Sequence, residues 1–260
     1  MITSTANAQV KNVINLIKKS GERRNRGLFV IEGIRMFSEV PGKMLEKVYA
    51  SESFAKDHMS LLNSCGPCGY EIVSDNVFKQ MSDTKTPQGI MALVKMPEYS
   101  MEDLLPAGKV PLLVVLENIQ DPGNLGTIVR TAEGAGATGI IMSNDTVDIY
   151  NPKTIRSTMG SLFRMPFIYA ESISGCVENL NAAGIRTMAA HLDGTRFYYE
   201  EDLSVPLAVL IGNEGNGLTK ELTGKASCLI KIPMEGRLES LNAAVSTAII
   251  LYETSRQRRI

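Results

Sequence analysis

The sequence predicts an α/β protein of two domains, the second built on a mostly parallel sheet. Two patterns carry that expectation. From residue 110 onward, near-continuous apolar runs such as VPLLVVLE, GIIMS and LAVLIG alternate with helix-period segments, as strands covered by helices on both faces do. Over residues 25 to 97, shorter apolar strands also alternate with helices, the pattern of a small α/β domain. Between them, Pro97, Pro106, Gly108 and Pro111 punctuate a turn-rich stretch. The division is a first domain over residues 1–97, a linker over 98–109 and a second domain over 110–260.

Along the first domain, Val10, Val13, Ile14 and Ile17 share one helical face over residues 7–20. GERRNRG then breaks the pattern. LFVIEG reads as a buried strand, IRMFSEV as a helix, KVYAS as a strand, FAKDHMSLLNS as a helix and YEIVS as a strand. In the second domain, strand VPLLVVLE leads through a loop to helix LGTIVRTAEGAG and strand GIIMS. Helix NPKTIRSTMGS, apolar MPFIYA, a helix around SGCVENLNAAG and strand RTMAAHL follow. Strand LAVLIG, a helix near LTKEL, strand CLIKIPM and a long final helix complete it.

Composition excludes several classes. No apolar run reaches bilayer-spanning length, and the first residues, MITSTANAQVKN, lack the apolar stretch of a secretory signal. Four scattered cysteines do not read as a disulfide framework, so a cytoplasmic protein is expected. The net charge of −1 does not announce a nucleic-acid binder, but its distribution is uneven. Lys11, Lys18, Lys19, Arg23, Arg24 and Arg26 crowd the first segment, and Arg256, Arg258 and Arg259 close the chain. A solvated helical face is the ordinary explanation of such clusters; a phosphate-contacting arm is the sharper one.

Two motifs mislead. Gly134, Gly136 and Gly139 satisfy GxGxxG, but a helix precedes and a strand follows them, the reverse of a dinucleotide fingerprint. They read as a helix C-cap and turn. Cys65 and Cys68 satisfy CxxC, but they follow a helix and precede a strand, so Gly66 and Pro67 make a turn rather than a redox site.

Three segments can carry chemistry, and each leaves the C-terminal end of a strand, where open α/β sheets bind ligands. The first, DPGNLGTIVRTA (121–132), puts Asn124 near a helix start, where it could be an N-cap, and Arg130 further along the same helix. The second, IGNEGNGL (211–218), displays Asn213 and Glu214 between glycines, with Gly212 and Gly215 suited to close approach of a ligand. The third, IPMEGRLESLNAAVS (232–246), places Ser240 or Asn242 at the mouth of a long helix. Converging from distant parts of one domain, they make a better site than any one alone.

Together these strings resemble the three signature motifs of the SpoU/TrmH family of RNA ribose 2'-O-methyltransferases, in the family's order. FVIEGIRMFSEV and TPQGIMALV resemble, more loosely, its small ribosomal-protein-like substrate-binding domain. The resemblance implies a deep trefoil knot in the second domain, an exception to the rule against threaded chains. It implies a homodimer, and S-adenosylmethionine bound at Ile211, Gly212, Ile232, Met234, Leu241 and Asn242. Arg130, Asn124, Glu214, Ser240 and Asn242 match the family's catalytic positions. None of the three segments contains a histidine, so an imidazole base is not expected. Arg130 is either a phosphate-assisted base or an electrostatic stabiliser of the developing alkoxide. Lys18, Lys19, Arg23, Arg24 and Arg26 are the candidate RNA contacts of the first domain. A separate RNA-gripping domain points to ribosomal rather than transfer RNA as substrate. A non-catalytic RNA-binding protein on the same fold, and a nucleotide-dependent oxidoreductase resting on the misleading glycines, are the alternatives.

Overall fold

The computed structural model describes residues 1–259. The chain forms two compact units, Met1–Glu98 with Asp148–Phe163, and Tyr99–Val147 with Arg164–Ile260.

The first unit runs α1 (Ala8–Lys18), α2 (Ser20–Arg26), β1 (Leu28–Glu32), α3 (Ile34–Glu39), β2 (Leu45–Ser51), α4 (Glu52–Asp57), α5 (Met59–Asn63), β3 (Tyr70–Val73), α6 (Asp75–Met81) and β4 (Ile90–Lys95). Its four strands lie in the order β1-β4-β2-β3, antiparallel except for β2 against β3. Asn7 caps α1 by accepting from the Gln9 amide at 2.8 Å. The apolar face of α1, Val10, Val13 and Leu16, packs with Val30, Tyr49 and Phe78 in one core.

Three expectations change here. GERRNRG is helical: extended Lys19 separates α2 from α1, and Gly27, in the left-handed region at φ 62°, ends it. FAKDHMSLLNS is two helices, because His58 leaves the helical region (φ −128°, ψ 30°) with its ring 4.3 Å from that of Phe54. Arg23 is not a surface cation. It is 4 % exposed and donates to the Leu16 and Ile17 carbonyls at 2.7 and 3.0 Å and to Asp148 at 2.9 Å. It satisfies carbonyls at the end of α1 and pins the Asp148–Phe163 segment, within which the Tyr150 ring lies 4.6 Å from that of Phe29. Cys65 precedes and Cys68 ends a single turn, Gly66–Cys68, and burial pushes both thiols up, away from the reactive range.

The remaining elements are α7 (Met101–Leu104), β5 (Leu112–Leu116), α8 (Pro122–Ala135), β6 (Gly139–Ser143), α9 (Pro152–Thr158, in the first unit), β7 (Phe167–Ala170), α10 (Ile173–Ala182), β8 (Arg186–Ala190), β9 (Arg196–Phe197), β10 (Leu207–Ile211), α11 (Lys220–Lys225), β11 (Cys228–Lys231) and α12 (Ala243–Gln257). The second unit's seven strands lie in the order β7-β6-β5-β10-β8-β11-β9, and every pairing is parallel. β5, β6 and β10 are buried throughout, which is why they read as unbroken apolar runs. The turn-rich stretch holds a short helix, α7, opened by a capping box between Ser100 and Asp103, with Leu104 fully buried. Gly136, at φ 82°, caps the end of α8, as the order of elements around the glycines requires. The two-residue strand β9 was beyond the reach of periodicity. No helix among the described residues is long and apolar enough to cross a membrane.

Candidate active site

The loops after β5, β10 and β11 leave the same edge of the sheet, since their strands are all parallel. Glu214, in the second loop, joins the first. Its carboxylate accepts from the Gln120 and Asp121 amides at 3.1 and 3.0 Å and from Asn124 Nδ2 at 3.0 Å. Burial, the largest influence, would raise its pKa. The bonds from Asn124, Gln120 and Asp121 together outweigh burial and hold it below the usual carboxylate range.

Asn124 continues the chain by accepting from Asn242 Nδ2 at 2.9 Å. Asn242 in turn accepts from the Ala244 and Val245 amides at 2.9 and 3.3 Å, capping α12. The direction of every bond follows from the ends: an ionised carboxylate only accepts and helix amides only donate, so each amide side chain has one orientation that satisfies both neighbours. All three loops are thereby tied into one hydrogen-bonded unit.

The N-caps differ from expectation. Asp121, not Asn124, caps α8, accepting from the Asn124 amide at 2.8 Å, with Pro122 at the first helical position. That leaves the Asn124 side chain free to bridge. Asn242, not Ser240, caps α12; Ser240 is exposed.

The glycines also act differently. A Cβ on Gly212 would lie 2.2 Å from the Gly217 backbone, so this glycine admits the returning chain of its own loop. Asn213 holds the same loop: its side chain accepts from the Gly215 and Asn216 amides at 2.9 and 3.0 Å and donates to the Asn118 carbonyl at 2.8 Å. Glu117, buried at the end of β5, accepts from the amide and hydroxyl of Thr219, each at 2.8 Å.

A cavity of about 610 Å³ opens beside these loops. Its lining includes five of the six residues expected to hold a donor, Ile211, Gly212, Ile232, Met234 and Leu241, together with Ser240. Asn242, the sixth, does not line it. The walls are apolar at Ile211, Ile230, Ile232 and Met234, while residues 233–241 form no backbone–backbone hydrogen bond among the described residues. Apolar walls beside unspent backbone donors and acceptors suit a nucleoside-bearing ligand. His191, Leu192 and Phe197 also line the cavity and were not expected. The rule about strand ends, applied to β8 as well, points to His191.

Arg130 stands apart. It is exposed on α8, does not line the cavity and makes no hydrogen bond or ion pair to a described residue. Among the basic residues, Lys18, Lys19, Arg24 and Arg26 are exposed, Arg26 with a 3.4 Å ion pair to Glu22. At the C-terminus two expected phosphate contacts are spent internally. Arg258 donates to the Val110, Pro111, Leu203 and Val205 carbonyls at 2.6 to 3.2 Å, and Arg256 forks onto Glu253 at 2.8 and 2.7 Å. Arg259 is exposed.

A parallel sheet whose strand-end loops interlock around a nucleoside-sized cavity defines a ligand-binding α/β domain, here coupled to a small mixed-sheet unit. The SpoU rRNA Methylase family matches residues 111–252, and the MRM3-like substrate binding domain matches residues 7–92. The chain belongs to the SpoU rRNA methylase family. It is 34 % identical over 254 residues to the 23S rRNA (guanosine(2553)-2'-O)-methyltransferase RlmP of Bacillus subtilis, covering 96 % of this chain and 97 % of that protein. Its fold matches the AdoMet-bound rRNA methyltransferase of Sinorhizobium meliloti with a TM-score of 0.85 at 31 % identity, covering 98 % and 97 % of the two chains. It matches the SpoU methyltransferase AviRb of Streptomyces viridochromogenes in complex with AdoMet with a TM-score of 0.86 at 29 % identity, covering 97 % and 99 %.

Proposed function

We propose that this protein is an S-adenosylmethionine-dependent methyltransferase that methylates a ribose 2'-hydroxyl of ribosomal RNA. The observation that carries the reading is the cavity beside the hydrogen-bonded chain of Glu214, Asn124 and Asn242, lined by Ile211, Ile232, Met234 and Leu241. Near full-length similarity to 23S rRNA 2'-O-methyltransferases supports ribosomal RNA.

The residues present fit the donor. Ile211, Ile232, Met234 and Leu241 would enclose its apolar parts, and free backbone groups of the third loop would meet its polar edges. Bound S-adenosylmethionine supplies an electrophilic methyl on a sulfonium sulfur. The chain's task is to bring a ribose oxygen in line with that methyl and to stabilise the oxygen as its proton leaves. The unspent guanidinium of Arg130 is the group for this, as donor to the developing alkoxide. Asn124, Glu214 and Asn242 set the loop geometry, and Ser240 remains free at the cavity's lining to meet donor or phosphate.

The same reading includes a homodimer and a deep trefoil knot. Val245 and Tyr252 lie on one face of α12, 47 % and 54 % exposed, which suits a second copy. The strand order takes the chain from β10 across β8 to β11 before α12 returns to pack on α8 and β10, which suits a threaded C-terminus. Lys18, Lys19, Arg24 and Arg26 are the RNA contacts of the first unit. Four free cysteines suit a reducing cytoplasm.

The test is transfer of labelled methyl from S-adenosylmethionine to separated ribosomal and transfer RNA from a strain lacking this protein. Label recovered from ribosomal RNA as a 2'-O-methylnucleotide is expected. Label in transfer RNA alone would keep the chemistry and overturn the substrate.

A further inference from the structure

Three adjacent strand ends form a short ladder on the cavity wall. Leu229 and Ile230 of β11 pair with Ala189 and Ala190 of β8, and the His191 amide donates to the Ile230 carbonyl at 2.9 Å. This register brings His191 level with Lys231, and Lys231 in turn pairs with Phe197 of β9. Residues level with one another on neighbouring strands point to the same face, about 5 Å apart. His191, Lys231 and Phe197 all line the cavity, and the Lys231 ammonium sits 5.3 Å from the centre of the Phe197 ring.

Both polar groups of the ladder have donors to spare. His191 Nδ1 accepts from the Asp193 amide at 3.1 Å, which puts the proton of the neutral ring on Nε2. Among the described residues, Nε2 makes no hydrogen bond and Lys231 makes no ion pair. The carboxylates that line the cavity, Glu214, Glu235 and Glu239, all belong to the second and third loops, and the exposed Asp193 carboxylate lies 3.7 Å from His191 Nδ1, the ring nitrogen opposite the unspent Nε2. Among the described residues, Lys231 is the only lysine or arginine in the cavity lining. An acceptor-only, anionic group on a cavity ligand therefore has one place where unspent donors and positive charge coincide.

We propose that the His191–Lys231 ladder recognises the carboxylate of the methionine moiety of the methyl donor, with Phe197 holding the lysine in place. The proposal rests on the reading of the cavity as the donor site. It assigns to this chain two binding residues outside the three signature segments, and a reason for it to discriminate by the amino-acid end of its ligand.

Decarboxylated S-adenosylmethionine keeps the nucleoside, the sulfonium and the amine and lacks only the carboxylate. Calorimetric titration of the whole protein should show S-adenosylmethionine binding about tenfold tighter than this analogue, the worth of charge-assisted bonds to one group. Lys231→Met, which keeps the contact with Phe197, and His191→Ala should each narrow that gap by weakening S-adenosylmethionine alone. His191→Gln, which restores a donor near the Nε2 position, should recover part of it. Equal affinities of the wild-type protein for the two compounds would overturn the proposal. So would parallel losses for both compounds in the variants, the mark of a merely structural role. Unchanged donor affinity in Lys231→Met with weakened RNA binding would assign the lysine to a phosphate and overturn it as well. Failure of the wild-type protein to bind either compound would instead remove the donor-site reading beneath it.

Discussion

Asn124 and Arg130 stand on the same helix, yet their surroundings are opposite. Asn124 is held on both sides, by Glu214 and Asn242, in a cross-loop chain whose bond directions admit one arrangement. Arg130 is exposed and has no partner among the described residues. Asn124 has its hydrogen-bonding groups committed to the loops, whereas the guanidinium of Arg130 is unspent among the described residues. The arginines of the first unit repeat the lesson: Arg23 is committed to carbonyls and Asp148, while its neighbour Arg24 faces solvent.

Substitutions can break this contrast. The largest effect is expected on turnover: Arg130→Ala should lower methyl transfer by about a hundredfold or more, while denaturant unfolding shifts by no more than about 0.5 kcal/mol. An Arg130→Ala protein that unfolds early would place the arginine in the frame. Next comes stability in the first unit. Arg23→Ala should cost about 3 kcal/mol by leaving Asp148 without its countercharge and two helix carbonyls without a donor, whereas Arg24→Ala should stay within about 0.5 kcal/mol. Equal losses would erase the distinction between them.

Glu214→Gln should cost about 1–3 kcal/mol, because an amide cannot accept on both sides from Gln120, Asp121 and Asn124. The loss should depend on pH. Glu214 has a lowered folded pKa, so its contribution is full above the ordinary carboxylate range and disappears as pH falls through the folded value. Urea midpoints of the wild-type protein and Glu214→Gln should therefore converge in acid. The smallest effect concerns Glu253, far from this chemistry. The forked bond from Arg256, opposed by burial and aided by Gln257, holds its carboxyl down to about 2. The gap between the wild-type protein and Glu253→Gln should be constant above the ordinary carboxyl value of 4.5 and close toward pH 2. A gap that widens in acid would contradict the assignment.

Much of the fold was legible because its signals are local. Fully buried parallel strands such as β5, β6 and β10 leave unbroken apolar runs, and the strand-to-loop transitions after β5, β10 and β11 mark a ligand edge without any coordinates. Illegible were the facts that depend on distant partners. Arg23 looks like part of a basic arm until Asp148 arrives from far along the chain. Arg258 looks free until four carbonyls from two other segments converge on it. Asn124 and Ser240 sit where caps are common, but Asp121 and Asn242 win those positions by their backbone conformation. Gly212 lines the cavity and also admits the Gly217 backbone of its own loop, since sequence shows that a close approach is possible but not what approaches. His191 follows the end of β8 and lines the cavity, but no signature motif surrounds it in the sequence.

The central claim is that Asn124, Glu214 and Asn242 frame the site while Arg130 acts on the substrate. Its most direct test is a pair of measurements on the same preparations: S-adenosylmethionine affinity by calorimetry and the single-turnover rate of RNA methylation, for Arg130→Ala and Glu214→Gln. The account predicts wild-type donor affinity with lost turnover for Arg130→Ala, and weakened donor affinity for Glu214→Gln. Donor binding lost in Arg130→Ala and intact in Glu214→Gln would contradict it.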